Sequence, residues 1–188
     1  LGSRGLGDVY KRQNADFEQA LKYLNQSIAI GQYNRQTKAD AYYWCGESYY
    51  RLSRMVEAAR DFNAYLQLTT QPNNEMYALA NYNLGYIAFH RKDYTQASNY
   101  FQKYVQLEKG ENATALADAY NRIGDCHLHV RNFEEAKQYY SQAEQMNTSS
   151  GDYSFYQLAL VAGLQKDYDG KVALLNRMAN KYPSSPYT

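Results

Sequence analysis

Apolar positions along this chain recur in steps of three and four residues, the spacing that gathers side chains on one face of an α-helix. Leu84, Ile87 and Ala88 mark one such face, and Ala97, Phe101, Tyr104 and Val105 mark another. The polar run from His90 to Asp93 separates them, leaving room only for a tight reversal. Two amphipathic helices joined this closely form a hairpin. The phrase then returns, with His129, Val130, Arg131 and Asn132 as its connector.

The hairpin is a repeat. An aromatic or apolar residue with a marker three positions on occurs at Phe17 and Ala20, Met55 and Ala58, Tyr94 and Ala97, Phe133 and Ala136, and Tyr168 and Lys171, at intervals of 38, 39, 39 and 35. A second ladder, Gly46, Gly85, Gly124 and Ala159, runs twelve residues ahead of Ala58, Ala97, Ala136 and Lys171. A glycine inside a helix costs about 1 kcal/mol relative to alanine, so its return at one register calls for close helix approach. Each second helix opens on a capping pair, Asp16 with Gln19, Asp93 with Gln96 and Asn132 with Glu135. A cap is worth about 1 kcal/mol, and here it fixes where each helix begins.

The pattern predicts a helix over about residues 14–30 and hairpins over about 37–68, 74–108, 113–147 and 152–181, with Pro72 and Gly110 punctuating the loops between them. The first hairpin lacks its leading helix, and Tyr187, after Pro183, stands where a further helix opens. The chain therefore reads as a slice of a longer solenoid, truncated at both ends and open to self-association through its exposed end faces. Residues 3–13 resemble the translation of a sequencing adaptor, and residues 1–13 are set aside from the functional reading as a non-native tail.

Composition adds further constraints. A formal net charge of +1 supplies no field of one sign, which argues against a nucleic-acid partner held by phosphate contacts and against binding to a charged membrane surface. The longest apolar run, near Leu158 to Leu164, falls far short of the roughly 20 residues a bilayer-spanning helix needs. Tyrosine is the outlier, 22 residues against six phenylalanines and one tryptophan, and its apolar ring with a polar tip suits half-wet packing and partner contacts. Cys45 and Cys126 stand outside any CxxC pair and leave both the cytoplasm and the bacterial periplasm open.

These residues resemble the tetratricopeptide repeat (TPR). One unit carries Tyr42, Cys45, Gly46, Tyr49, Ala58, Phe62 and Tyr65, and the next carries Leu84, Gly85, Ala88, Ala97, Phe101 and Tyr104. Tyr120, Ile123, Gly124, Ala136, Tyr140 and Ala143 follow, then Phe155, Leu158, Ala159, Ala162, Leu175, Met178 and Pro183. The resemblance covers residues 14–188 and implies an all-α fold, a right-handed superhelical solenoid of antiparallel helix hairpins that serves as a protein–protein interaction scaffold. Two departures stand out. Lys171 replaces the small residue that lets paired helices approach, so the last hairpin is expected to pack more loosely, and His127 replaces an aromatic.

Catalysis is not expected. No cysteine or serine sits in a catalytic context, the glycines form no phosphate-cradling loop, and Cys126, His127 and His129 lack a carboxylate set with zinc spacing. Neither cofactor nor metal is expected, and the Asn-x-Ser/Thr triplets at Asn25, Asn112 and Asn147 occur as often as chance supplies them.

In a TPR solenoid the first helices line a concave groove. The resemblance places Tyr43, Glu47, Tyr50, Arg51, Tyr82, Asn83, Tyr86, Phe89, His90, Asn121, Arg122, Asp125, His129 and Tyr156 there. This stripe of aromatic anchors with polar and charged groups suits an extended or helical segment of a partner protein or peptide. About half of the tyrosines are assigned instead to packing between repeats. Asn83 and Arg122 match two places of the clamp with which some TPR co-chaperones hold the acidic tail of heat-shock chaperones. Tyr43, Glu47 and Asp118 depart from it, and the acids would repel such a tail. Two other roles stay open: the docking or sensory half of a larger signalling protein or enzyme, and cell-envelope assembly, since Lys181–Thr188 resembles the repeat junctions of periplasmic TPR proteins.

Overall fold

The computed structural model describes residues 3–30, 35–108, 110 and 112–187, with side chains from residue 14 onward except residue 30. Among the described residues the regular elements are α-helices: α1 (Ser3–Ile30), α2 (Arg35–Arg51), α3 (Met55–Leu68), α4 (Glu75–His90), α5 (Tyr94–Leu107), α6 (Ala113–His129), α7 (Phe133–Gln145), α8 (Gly151–Leu164) and α9 (Tyr168–Lys181). None of these helices is long and apolar enough to cross a membrane. The chain divides into two compact units, Leu1–Ile87 and Ala88–Thr188, the break falling within α4.

In the first unit α1 packs on α2 and α2 on α3. Tyr43, Cys45, Phe62 and Tyr65 are buried between α2 and α3, with the Tyr43 ring edge-on to Phe62 at 5.9 Å and to Tyr65 at 5.3 Å. Gly46 is required because the Phe62 ring lies against its backbone: a Cβ there would stand 2.8 Å from the ring edge.

In the second unit the helices pack in chain order, α5 on α6, α6 on α7, α7 on α8 and α8 on α9. Its core gathers Ala136, Tyr140, Leu158 and Val161, flanked by Leu128, Phe133, Tyr153 and Leu174. Gly124 repeats the Gly46 device under a different ring, since a Cβ there would lie 2.6 Å from Tyr140. In the last hairpin Met178 is the buried residue of α9, and the Lys171 side chain lies across Gly163.

Every hairpin turns through one residue in the left-handed region, Ser53 (φ 58°), Lys92 (61°), Arg131 (63°) and Lys166 (65°). At the second of these, Lys92 N–H donates to the Phe89 carbonyl at 2.9 Å and Asp93 N–H to the Ala88 carbonyl at 3.0 Å, closing the end of α4. The expected caps need correction at two places. Asp93 does cap α5, its Oδ1 taking the Gln96 amide at 3.1 Å. Asp16, however, lies inside α1, which runs from Ser3, and Asn132 makes no side-chain cap. The start of α7 is held by the Asn132 carbonyl, which accepts from the Ala136 amide at 3.0 Å, with Glu134 and Glu135 complementing the positive end of the helix. Asn112 and Asp167 supply caps to α6 and α9 that the sequence reading missed, accepting from the Ala115 amide at 3.0 Å and the Gly170 amide at 2.9 Å.

Candidate partner-binding surface

In the first unit the expected residues fall on α2 and on the Glu75–Ile87 part of α4. Glu47 joins them: it takes the Arg51 guanidinium at 2.8 Å and the Asn83 side-chain amide at 3.1 Å, linking the two helices. Tyr82 and Tyr86, one turn apart on α4, pack edge to face at 5.2 Å and stay half-buried, each presenting part of its ring. Tyr50, three residues after Glu47 on α2, is half-buried, and burial raises its phenol above the ordinary tyrosine range.

In the second unit Arg122 is the organising side chain. Its Nη1 pairs with Asp125 Oδ2 at 2.6 Å and its Nε lies 3.6 Å from Asp118 Oδ1, while its guanidinium sits over Tyr153 at 5.0 Å and over Phe89 at 5.9 Å. His129 stacks flat on Tyr94 at 4.1 Å and meets Phe89 edge-on at 6.0 Å. His90 is exposed at the end of α4. Tyr156, 37% exposed, stacks on Tyr187 at 4.9 Å instead of joining the Arg122 group.

Three of the residues expected to face a partner are interior. Tyr43 is 4% exposed and belongs to the α2–α3 core. Asn121 is 1% exposed, its Oδ1 accepting from Ser154 Oγ at 2.8 Å. Asp125 is 4% exposed; its Oδ1 accepts from Tyr140 at 2.7 Å, Tyr153 at 2.8 Å and Gln157 at 3.2 Å. The reason is the same each time: a later helix covers the position, α3 for Tyr43, α8 for Asn121, and α7 with α8 for Asp125, and the register of one helix does not say which of its residues a neighbour hides. Burial raises the Asp125 carboxyl above its usual range, against the pull of Arg122 and the three donors.

Tyr94, Tyr153 and Gln157 complete the second group and were missed as site residues: Tyr94 stands on α5, the second helix of its hairpin, and on α8 the sequence pointed to Tyr156 alone. The only trace they leave in the sequence is that Tyr153 and Gln157 stand one turn apart at the start of α8. Burial pushes the thiols of Cys45 and Cys126 up to about 12, so both are protonated and inert at neutral pH. Among the described residues no three His, Cys, Asp or Glu side chains gather as a metal site.

Models of the tetratricopeptide repeat match residues 6–75, 76–149 and 153–185. No curated protein sequence matches the chain significantly. Among solved structures, YrrB, a TPR protein with an unusual peptide-binding site, superposes with a TM-score of 0.75 at 18% identity, over 92% of this chain and 81% of that one. MamA superposes with a TM-score of 0.72 at 18% identity over 91% of each chain. BtubC from P. vanneervenii gives 0.72 at 17% identity, over 90% of this chain and 74% of that one. With nine described helices, among them the packed hairpins α2–α3, α6–α7 and α8–α9, and repeat models along nearly all of its length, the chain belongs to the tetratricopeptide repeat family, an all-α solenoid fold whose members are generally non-enzymatic scaffolds for protein interaction.

Proposed function

We propose that the chain binds extended or helical segments of a partner protein, each unit carrying its own patch. The observation that carries this reading is the placement of Arg122 over the Tyr153 and Phe89 rings, at 5.0 and 5.9 Å, with Asp125 fixing one end of its guanidinium. An arginine already held against aromatic rings loses little freedom on binding, and Arg and Tyr are the side chains from which interface hot spots are built. The Tyr82–Tyr86 pair plays the corresponding part in the first unit. Asp118 and Asp125 beside Arg122, and Glu47 in the first unit, disfavour an acidic tail; a segment with apolar side chains and hydrogen-bond donors fits better. The peptide-binding site of YrrB, a protein of the same fold, supports the class of partner.

The test begins by selecting binding peptides from a displayed random library against the intact chain. Arg122→Ala, and Tyr82→Ala with Tyr86→Ala, are expected to weaken the selected peptides by about tenfold or more, with helical circular dichroism retained. Trp44→Ala, at a residue 52% exposed on α2, is the control and leaves affinity in place. Undiminished affinity in both of the first two variants overturns the reading.

A further inference from the structure

Where a second helix meets the next hairpin, long side chains reach across the joint in two places. Between α7 and the α8–α9 hairpin, Gln165 Nε2 donates to Glu134 Oε1 at 2.8 Å and Lys137 Nζ to Gln165 Oε1 at 3.4 Å. Between α1 and the α2–α3 hairpin, Arg54 reaches Glu18 at 3.7 Å. In the joint between α5 and the α6–α7 hairpin, shorter side chains hold those places. Thr95 and Ser98 stand thirty-nine residues before Glu134 and Lys137, and Val130 stands thirty-five before Gln165. The space the long side chains would take is a cavity of about 250 Å³.

The cavity adjoins the Arg122 group through Tyr94 and is otherwise lined by residues with no part in that group. Ser98 and Cys126 are its buried floor, and Thr95, Asn99, Val130 and Asn132 are exposed at its rim, so it opens to solvent. Its polar groups are held in place: Gln102 Nε2 donates to Ser98 Oγ and to the Tyr139 hydroxyl, each at 3.3 Å. His127, also in the wall, stacks flat on Tyr139, and its Nε2 is buried without a hydrogen-bond partner. An unsatisfied nitrogen at the wall of a cavity suits a site whose remaining hydrogen bond comes from outside the chain.

The chemistry of the lining selects a class of ligand. Hydroxyls and side-chain amides both donate and accept hydrogen bonds, and none of the lining residues is Asp, Glu, Lys or Arg, so neither an anion nor a cation meets a counter-charge. The Tyr94 ring and Val130 add apolar surface. A ring that carries hydroxyls around its edge and C–H bonds on its faces matches both kinds of surface. The volume lies below the roughly 300–1,000 Å³ of a site for drug-sized ligands, which favours one such ring over a length of peptide. We infer that the cavity between α5 and the α6–α7 hairpin binds a neutral polyhydroxylated ring of monosaccharide size, its hydroxyls meeting Thr95, Ser98, Asn99 and Asn132.

Backbone amide shifts of the intact chain, followed by NMR during titration with D-glucose, N-acetyl-D-glucosamine and myo-inositol, test this. At least one of the three is expected to move amides of residues 94–102 and 126–132 to saturation and to leave those of α2 and α3 in place, while D-glucuronate and inorganic phosphate move neither set. Thr95→Glu, Ser98→Lys and Val130→Gln together carry the next joint's residues into this one; the triple variant is expected to fill the cavity and weaken binding by about tenfold or more. Should it unfold, Asn99→Ala at the exposed rim decides, with an expected loss of about threefold or more. Gln138→Ala, at the matching exposed place on α7, leaves binding unchanged. Three outcomes overturn the inference: none of the neutral probes moves the cavity amides, a charged probe moves them as strongly, or a folded triple variant or Asn99→Ala binds undiminished.

Discussion

The glycine of α2 and the glycine of α6 occupy the same register of the repeat, and the rings that press on them differ by one hydroxyl. Phe62 covers Gly46; Tyr140 covers Gly124. In the first unit the Gly46 contact is aromatic, with Phe62 among Tyr43 and Tyr65, and the acid of that register, Glu47, stays nearer the surface with Arg51 and Asn83. In the second unit the Tyr140 hydroxyl reaches the corresponding acid, Asp125, which is buried and tied also to Tyr153, Gln157 and Arg122. A single oxygen thus goes with a change, at this glycine, from ring packing to directional bonds across α6, α7 and α8. Ring packing tolerates imprecise seating, whereas the buried carboxylate is costly unless each donor arrives.

The sharpest way to break the comparison is to remove both rings. Phe62→Ala and Tyr140→Ala each forfeit about 3–5 kcal/mol of local stability, and Tyr140→Ala is expected to lose more because it also deprives Asp125 of a donor. Hydrogen exchange resolved by helix measures the two losses, and equal losses would mean that the hydroxyl adds nothing. Removing the oxygen alone comes next: Tyr140→Phe turns the second joint into a copy of the first and is expected to cost about 1–3 kcal/mol, since Asp125 stays buried with one bond fewer. A denaturant midpoint unmoved by Tyr140→Phe would reduce the polar joint to packing.

Smaller effects separate the same two hairpins at their turns. Arg131 and Ser53 occupy equivalent left-handed positions, and glycine at either relieves strain of about 1–2 kcal/mol while adding its own entropy cost. Arg131→Gly and Ser53→Gly are therefore expected to raise the thermal midpoint slightly and alike. The smallest expected effect concerns His127, which stands where the first unit has Tyr49 and stacks on Tyr139 at 5.5 Å. Burial lowers its imidazole below the ordinary histidine value. As pH falls through that ordinary value the unfolded chain takes the proton first, so stability declines on acidification, and His127→Phe removes that part of the slope. Parallel pH profiles for the two proteins would show that His127 titrates as freely in the fold as outside it.

What the sequence disclosed, and what it withheld, follows from the range of each interaction. Helices, hairpins and the Gly46 and Gly124 approaches were legible because they depend on residues a few positions apart or on a repeated register. The left-handed turns were not, because Ser53, Lys92, Arg131 and Lys166 replace the glycine that normally marks such a conformation. The surface was read only in part. Glu47 and Asn83 do meet, and so do Phe89, Arg122 and His129 through Tyr94 and Tyr153, yet Asn121 and Asp125 are sealed by Ser154, Tyr153 and Gln157 from α8. No periodicity within α6 announces which of its polar residues a helix some thirty positions later will cover. That depends on the chemistry of the covering helix.

The hairpin turns carry one more consequence. Three of the four left-handed residues, Lys92, Arg131 and Lys166, are basic and exposed at the tips where α4 meets α5, α6 meets α7 and α8 meets α9. Exposed tips are where proteases cut folded chains first. A protease that cleaves after lysine or arginine would therefore nick this protein at its own period, releasing fragments of 39 and 35 residues whose masses spell out the repeat.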